Sequence, residues 1–195
     1  MPIRTLDASD AEDFIALLRM LDTETEYLMF EPGERPFDPA ALRARLASRD
    51  PTSGALYALV DPLSGTRSRA SGPGTRDSTV NAAPELRHPD EALAGFIGAQ
   101  RRQGRRNRHA LHLVVAIRQS HVGCGHGRTL LDAVERFARR EGVTRLELSV
   151  MIDNVRAIRL YESAGFEREG VRRQAVRLVH GWRDEYAYAK LLDTG

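Results

Sequence analysis

The stretch from Leu111 to Arg140 constrains the fold of this chain most. It reads LHLVVAI, RQSHV, GCGHG, RTLLDAVERFARR: an apolar strand, a glycine-rich turn and an amphipathic helix. Only His112 interrupts the apolar run of the strand, a pattern expected where both faces of a strand are buried. Leu130, Leu131, Val134, Phe137 and Ala138 then recur on one helical face, with Asp132, Glu135, Arg136 and Arg139 off it. Gly142 supplies the helix stop. A helix entered through so short a turn packs back on the sheet it left, which commits the chain to α/β layers. The turn also carries chemical information. A helix N-terminus has unpaired amides and about half a unit of positive charge, so it favours an anion. Glycines allow the backbone to close on a phosphate because no Cβ blocks the approach. The spacing G-x-G-x-G is not the G-x-G-x-x-G of dinucleotide folds, and the Gly-Lys-Ser/Thr of a P-loop is missing. Nucleotide hydrolysis is thereby disfavoured. Taken alone, the turn reads either as a phosphate cradle or simply as a tight turn.

The rest of the chain supplies further elements in a consistent order. PIRTL reads as a short strand, followed by a helix with Phe14, Ile15, Leu18 and Leu21 at helical spacing. Ser9 and Glu12 have the spacing of a capping box at its start. Asp38-Pro39 opens a second helix bearing Leu42 and Leu46, and GALYALVD is the next strand. ALAGFIGAQ resumes strand character and leads through the basic turn RRQGRRNRH into LHLVVAI. Beyond the glycine turn and its helix, Leu146, Leu148, Val150 and Ile152 alternate with Glu147, Ser149 and Met151. Asn154 opens a short helix ending at Gly165, and Phe166–Val171 and Trp182–Leu191 read as the last two strands. The order is β-α-α-β-β-β-α-β-α-β-β: an α/β fold with a mixed sheet carrying helices on its faces. Residues 61–90 stand apart, with four prolines, no aromatic residue and many Gly, Ser and Thr. Such a stretch cannot bury enough apolar surface to offset its ordering entropy, so it reads as an insertion between two strands of a single domain spanning 1–195.

Composition narrows the function class. The chain has a net charge of +2, one cysteine and no run near the roughly 18–20 apolar residues of a membrane span. A single cysteine forms no internal disulfide, no Cys/His cluster has zinc spacing, and the acidic start MPIRTLDASDAEDF is unlike a signal peptide. A soluble, cytoplasmic, metal-free protein is expected. So small a net charge gives no basis for a nucleic-acid partner. The turn RRQGRRNRH reads as a solvated hairpin tip or an anionic-partner patch, and it lacks the interleaved aromatics that stack on bases.

A second block decides what the glycine turn holds. Asn154-Val-Arg-Ala157-Ile158-Arg-Leu160-Tyr161-Glu-Ser-Ala-Gly165-Phe166 follows the turn by about thirty residues. Together the two blocks resemble the GNAT superfamily of N-acetyltransferases. The turn is similar to the family's [RQ]-x-x-G-x-[GA] acyl-CoA signature, and the second block to its N-x-x-A-x-x-L-Y-x-x-x-G-F signature. The resemblance implies a mostly antiparallel sheet of about seven strands flanked by about four helices. It also implies acetyl-CoA as cosubstrate and acetyl transfer to a primary amine of a small molecule or peptide. Residue by residue, the backbone near Val115 and Ile117 would pair with the pantetheine arm. Amides of Val122, Gly123, Cys124, Gly125, His126, Gly127 and Arg128 would hold the pyrophosphate. Asn154 would hydrogen-bond the arm, and Tyr161 would protonate the departing thiolate. Val122 departs from the Arg or Gln of the family motif and lacks its side-chain donor. A non-catalytic acyl-CoA-binding or sensing module is the alternative.

Several residues stay open on sequence alone. Tyr161 and Asn154 also fit a core tyrosine and a helix N-cap. Cys124 has no His/Asp pattern around it and reads as a bystander. His112 reads as a base or as an interior histidine. Other base candidates are Glu24, Glu26 and Glu31 in an acidic run that suggests a cationic acceptor, with Glu147 and Asp184. The aromatic last strand, WRDEYAYAKLL, could pair across a homodimer or pack into the core.

Overall fold

The structure, a computed structural model, describes residues 1–62 and 91–193. Most of the segment read as an insertion therefore lies outside the described residues. What frames it is visible: the strands before and after it pair antiparallel, with Asp61 opposite Ala92.

Seven strands form one sheet: β1 (Ile3–Thr5), β2 (Gly54–Asp61), β3 (Ala92–Arg101), β4 (Ala110–Ile117), β5 (Arg145–Met151), β6 (Glu167–Leu178) and β7 (Gly181–Leu191). Their spatial order is β1-β2-β3-β4-β5-β7-β6. All neighbours are antiparallel except β4 and β5, which are parallel. The four helices are α1 (Ala11–Glu24), α2 (Pro39–Ala47), α3 (His126–Arg140) and α4 (Val155–Ser163). The expected element order and sheet type are both found.

Alternation along the strands builds two cores. Ala58, Val60 and Phe96 face α1 and α2, where Phe14 meets Phe96 edge-on with ring centroids 5.1 Å apart. Leu59, Ile97 and Leu111 face the other way, against Leu130, Val134 and Phe137 of α3 and Tyr161 of α4. The side-chain period of two on β2 and β3 thus divides the helices into two layers around the sheet.

Local details depart from the sequence reading in four places. The capping box lies two residues earlier than Ser9–Glu12: Asp7 caps a short 3-10 turn over Ala8–Asp10, and Asp10 returns the bond to the Asp7 amide. Asp10 wins because its fully buried carboxylate also takes Arg4 in a fork at 2.7 and 2.8 Å, whereas Glu12 pairs with Arg43. Strand β5 alternates only as far as Val150: Met151 is buried, and Ile152 is exposed in the following turn. Strand β6 continues seven residues beyond Val171, through a bulge in which Arg173–Ala175 lie opposite Asp184. Its Arg-rich, exposed sequence hides the strand from a hydrophobic pattern because β6 is an edge. Finally, β7 is filled on both sides by β5 and β6, so it offers no free edge for pairing across a dimer.

The two competing caps can be separated by mutation. Asp10→Ala strands Arg4 beside a buried vacancy and should cost about 3 kcal/mol of stability, whereas Ser9→Ala should cost under about 0.5 kcal/mol. Urea midpoints of the two variants report the difference; equal costs contradict the assigned cap.

Candidate active site

The site begins where two parallel strands part. β4 and β5 are paired only at Ala110–His112 with Arg145–Glu147. Past that point β4 stays on β3 and β5 stays on β7, so the two halves of the sheet diverge. The gap opens into a cleft of about 820 Å³, within the usual range for small-molecule sites. The sequence suggested a β4 buried on both faces; instead Val114 is 45% exposed, because the strand forms one wall of this opening.

The direction of the β4 backbone groups follows from its antiparallel partner. Arg102 donates its amide to Ala110 and Arg118 donates its own to Ala94, so even-numbered β4 residues bond toward β3. By alternation, the amides and carbonyls of Val115 and Ile117 face the opposite side, into the gap beyond the last β4–β5 pair. The backbone near these two residues, expected to meet a pantetheine arm, is thus turned to the cleft.

At the far end of β4 the chain makes a 3-10 turn, Gln119–His121, and enters the glycine turn. Gly123 and Gly125 have φ of +83° and +81°, the left-handed conformation that glycine adopts without a Cβ penalty. Gly127 serves another purpose. A Cβ there would lie 2.6 Å from a methyl of Leu160, so its absence lets the start of α3 sit against α4. Gly125 is the N-cap of α3 and supplies no side-chain cap, which leaves the first amides of the helix to the cleft.

Two nominated residues have further partners. The Val122 amide turns back to the Gln119 carbonyl at 3.5 Å, so this position contributes less than the glycine amides beyond it. Arg128 donates to Asp132 and to the Ser163 carbonyl, both at 2.9 Å, so its guanidinium ties α3 to α4. Val115, Ile117, Val122, Gly123, Gly125, His126, Gly127, Arg128, Asn154 and Tyr161 all line the cleft. Cys124 is exposed and does not line it.

Asn154 caps α4 by accepting the Ala157 amide at 3.2 Å, and its own amide group remains a donor at the cleft wall. Tyr161 is only 6% exposed, with Phe166 and Tyr188 rings 6.0 and 6.4 Å away, yet it borders the cleft. Burial raises the phenol above its ordinary pKa, so it stays protonated and keeps a proton to donate.

The base candidates divide sharply. Burial pushes the Glu24 carboxyl up, but the Gln119 amide and the Arg118 guanidinium outweigh it and hold it below the ordinary value. Glu147 is held low in the same way by Arg102 and Arg145, and Asp184 accepts the Gln174 amide. These carboxylates are committed to structure. Glu26 and Glu31 do not line the cleft; the acidic run presents Tyr27, Leu28 and Met29 there instead, beside the paired Glu24. His112, by contrast, is half-buried on the cleft wall at the last paired position of β4. Burial, followed by the charge of Arg102, lowers its pKa and keeps the ring neutral.

Sequence reasoning missed three lining groups. Glu185 is nearly buried beside the cleft and takes Arg172 at 2.7 Å; only the strand pairing reveals this. Arg156 and Arg159 occupy variable positions between Asn154 and Leu160, and their spacing of three along a helix was the available signal.

Residues 80–166 match the family model described as Acetyltransferase (GNAT) family. A curated relative, the mycothiol acetyltransferase of Brachybacterium faecium, is 42% identical over 85 residues. That match covers 42% of this chain and spans a quarter of the relative's length (25%). Among solved structures, an acetyltransferase of the GNAT family from Streptococcus pneumoniae superposes with a TM-score of 0.76 at 21% identity, covering 98% of this chain and 99% of that one. A GNAT superfamily phosphinothricin acetyltransferase from Sinorhizobium meliloti, solved in complex with acetyl-CoA, has a TM-score of 0.73 at 15% identity and covers 100% of this chain and 89% of its own. At these identities the two structures establish a shared fold.

Proposed function

We propose that this chain is an acetyltransferase of the GNAT family and moves an acetyl group from acetyl-CoA to a primary amine of a small molecule or peptide. The single observation that carries the reading is the parted β4–β5 pair that ends in a glycine turn at a helix start. This arrangement suits a long, polar, phosphorylated arm. The backbone edge at Val115 and Ile117 can pair with its amides, and the left-handed glycines aim helix-start amides at an anion. The fit is one of donor chemistry and shape, and it needs no metal. A reduced cytoplasmic setting suits a chain with one exposed free cysteine, and no described helix is long and apolar enough to cross a membrane.

When bound, acetyl-CoA supplies an acetyl thioester whose C–S bond breaks as the new C–N bond forms. The chain's own residues then have two proton tasks and one electrostatic task. An ammonium cannot attack, so the acceptor must lose a proton; neutral His112, on the cleft wall where β4 and β5 part, takes it. A backbone amide on the open β4 edge stabilises negative charge growing on the carbonyl oxygen. Tyr161, held protonated by burial, donates to the departing sulfur.

The cleft wall at Tyr27, Leu28 and Met29 supports an acceptor with apolar surface beside its amine. This replaces the cationic acceptor that the acidic run suggested, since Glu24 is neutralised by Arg118 and Glu26 and Glu31 lie off the cleft.

Two outcomes test the reading. Tyr161→Phe should lower kcat for amine-dependent thiol release by about 10²-fold or more while leaving acetyl-CoA affinity intact. A non-catalytic acyl-CoA-binding module would instead bind acetyl-CoA and release no thiol with any amine of a broad panel. For His112, kcat at saturating substrates should fall only as the ring protonates, with a midpoint below about 6.5. Arg102, Glu147, Arg172 and Glu185 are the charged groups around this ring, and burial with Arg102 sets the direction. His112→Gln should lose at least tenfold in kcat and remove that acid limb. An unchanged limb in the variant excludes His112 as the base.

A further inference from the structure

The cations around the cleft are unequally available. Arg128 is held by Asp132 and the Ser163 carbonyl. His121 lies between Ser120 and Asp61, at 2.8 and 3.2 Å. His126 is held below its ordinary pKa, chiefly by burial, and contributes little charge at neutral pH. Val122 offers no side-chain donor at all. Arg118 is paired with Glu24. Two cations remain: Arg156 and Arg159 line the cleft from α4, are exposed, and have no ion-pair partner among the described residues. They stand three positions apart on one helical face, which sets their Cβ atoms about 5–6 Å from each other.

Their wall adjoins the glycine turn. Leu160, next in sequence to Arg159, packs on Gly127, and Arg128 reaches across to the last turn of α4. A ligand whose pyrophosphate meets the turn therefore passes within range of a second, side-chain-built anion site. The two sites differ in chemistry. Backbone amides at the helix start suit a diester-like pyrophosphate, whereas two free guanidiniums suit a terminal phosphomonoester, which carries about −1.5 to −2 charge at neutral pH.

Building on the acetyl-CoA reading, we propose that Arg156 and Arg159 form a clamp for the cofactor's 3′-phosphate and give this chain its preference for CoA over dephospho-CoA. The clamp completes the charge balance that the turn, lacking a free cation of its own, leaves open. Its exposure makes it sensitive to salt.

Isothermal titration of the intact chain with acetyl-CoA and with its 3′-dephospho analogue tests this. The wild type should bind acetyl-CoA at least about tenfold more tightly than the dephospho form, the size expected of charge-assisted hydrogen bonds at a partly solvated site. Arg156→Gln/Arg159→Gln should bring the two affinities within about twofold of each other by weakening acetyl-CoA alone. Circular dichroism of this variant should be unchanged, because both side chains are exposed and neither has an ion-pair partner among the described residues. Equal wild-type affinities overturn the clamp. Parallel weakening of both ligands also overturns it, by assigning the arginines to the pyrophosphate. Binding of neither ligand to the wild type is a different result, which removes the acetyl-CoA reading itself.

Discussion

Everything at the site depends on the β4–β5 pair ending after three residues. A parallel pair that continued would have joined the backbone groups of Val115 and Ile117 to β5 and closed the sheet. Past the last β4–β5 pair each strand keeps only its other partner: β4 is antiparallel to β3 over seven positions, and β5 is antiparallel to β7 over seven. The sheet therefore parts into two halves beyond His112 and Glu147. The start of α3 and the start of α4 converge on the gap that results, with Gly127 fitted under Leu160 at the junction.

Electrostatics at this junction is mostly structural. Glu24–Arg118 ties the end of α1 to the end of β4, Arg128 ties α3 to α4, and Arg102 and Arg145 hold Glu147. Such pairs are partly solvated and each contributes modestly to stability, but together they fix which charges face the cleft. After they are accounted for, the chemistry available to a ligand is narrow. It includes backbone amides at the turn, the Asn154 side-chain amide, the imidazoles of His112 and His126, a protonated buried phenol and two exposed guanidiniums on α4. That set favours acyl transfer with an anionic leaving group over hydrolysis or phosphoryl transfer.

Much of this was legible in the sequence, for identifiable reasons. The α3 face and both signature blocks were readable because helical periodicity and glycine spacing are local properties. Tyr161 and Asn154 carried two meanings from the start: Tyr161 is a core tyrosine that borders the cleft, and Asn154 is a helix cap on the cleft wall. What escaped was set by pairing. The openness of Val114 follows from where a ladder stops, which no residue pattern encodes. The Arg-rich far half of β6 carries no hydrophobic alternation to mark it, because Val176 is the one buried residue of that strand. Asp10 displaced Glu12 as a capping partner because Arg4, on a neighbouring strand, rewards a buried carboxylate there. Of the glutamates in the acidic run only Glu24 reaches the cleft wall, and Arg118, 94 positions along the chain, pairs with it.

The central claim is that acetyl-CoA lies in the gap between β4 and β5 with its phosphates on the glycine turn. Backbone amide NMR of isotopically labelled protein titrated with acetyl-CoA tests it directly. Saturable shifts are expected at Val115, Ile117 and Gly123–Arg128, with the amides of the β6–β7 hairpin around Val179 unmoved. Shifts confined to that hairpin, or none in the β4 and glycine-turn amides at saturation, would contradict it.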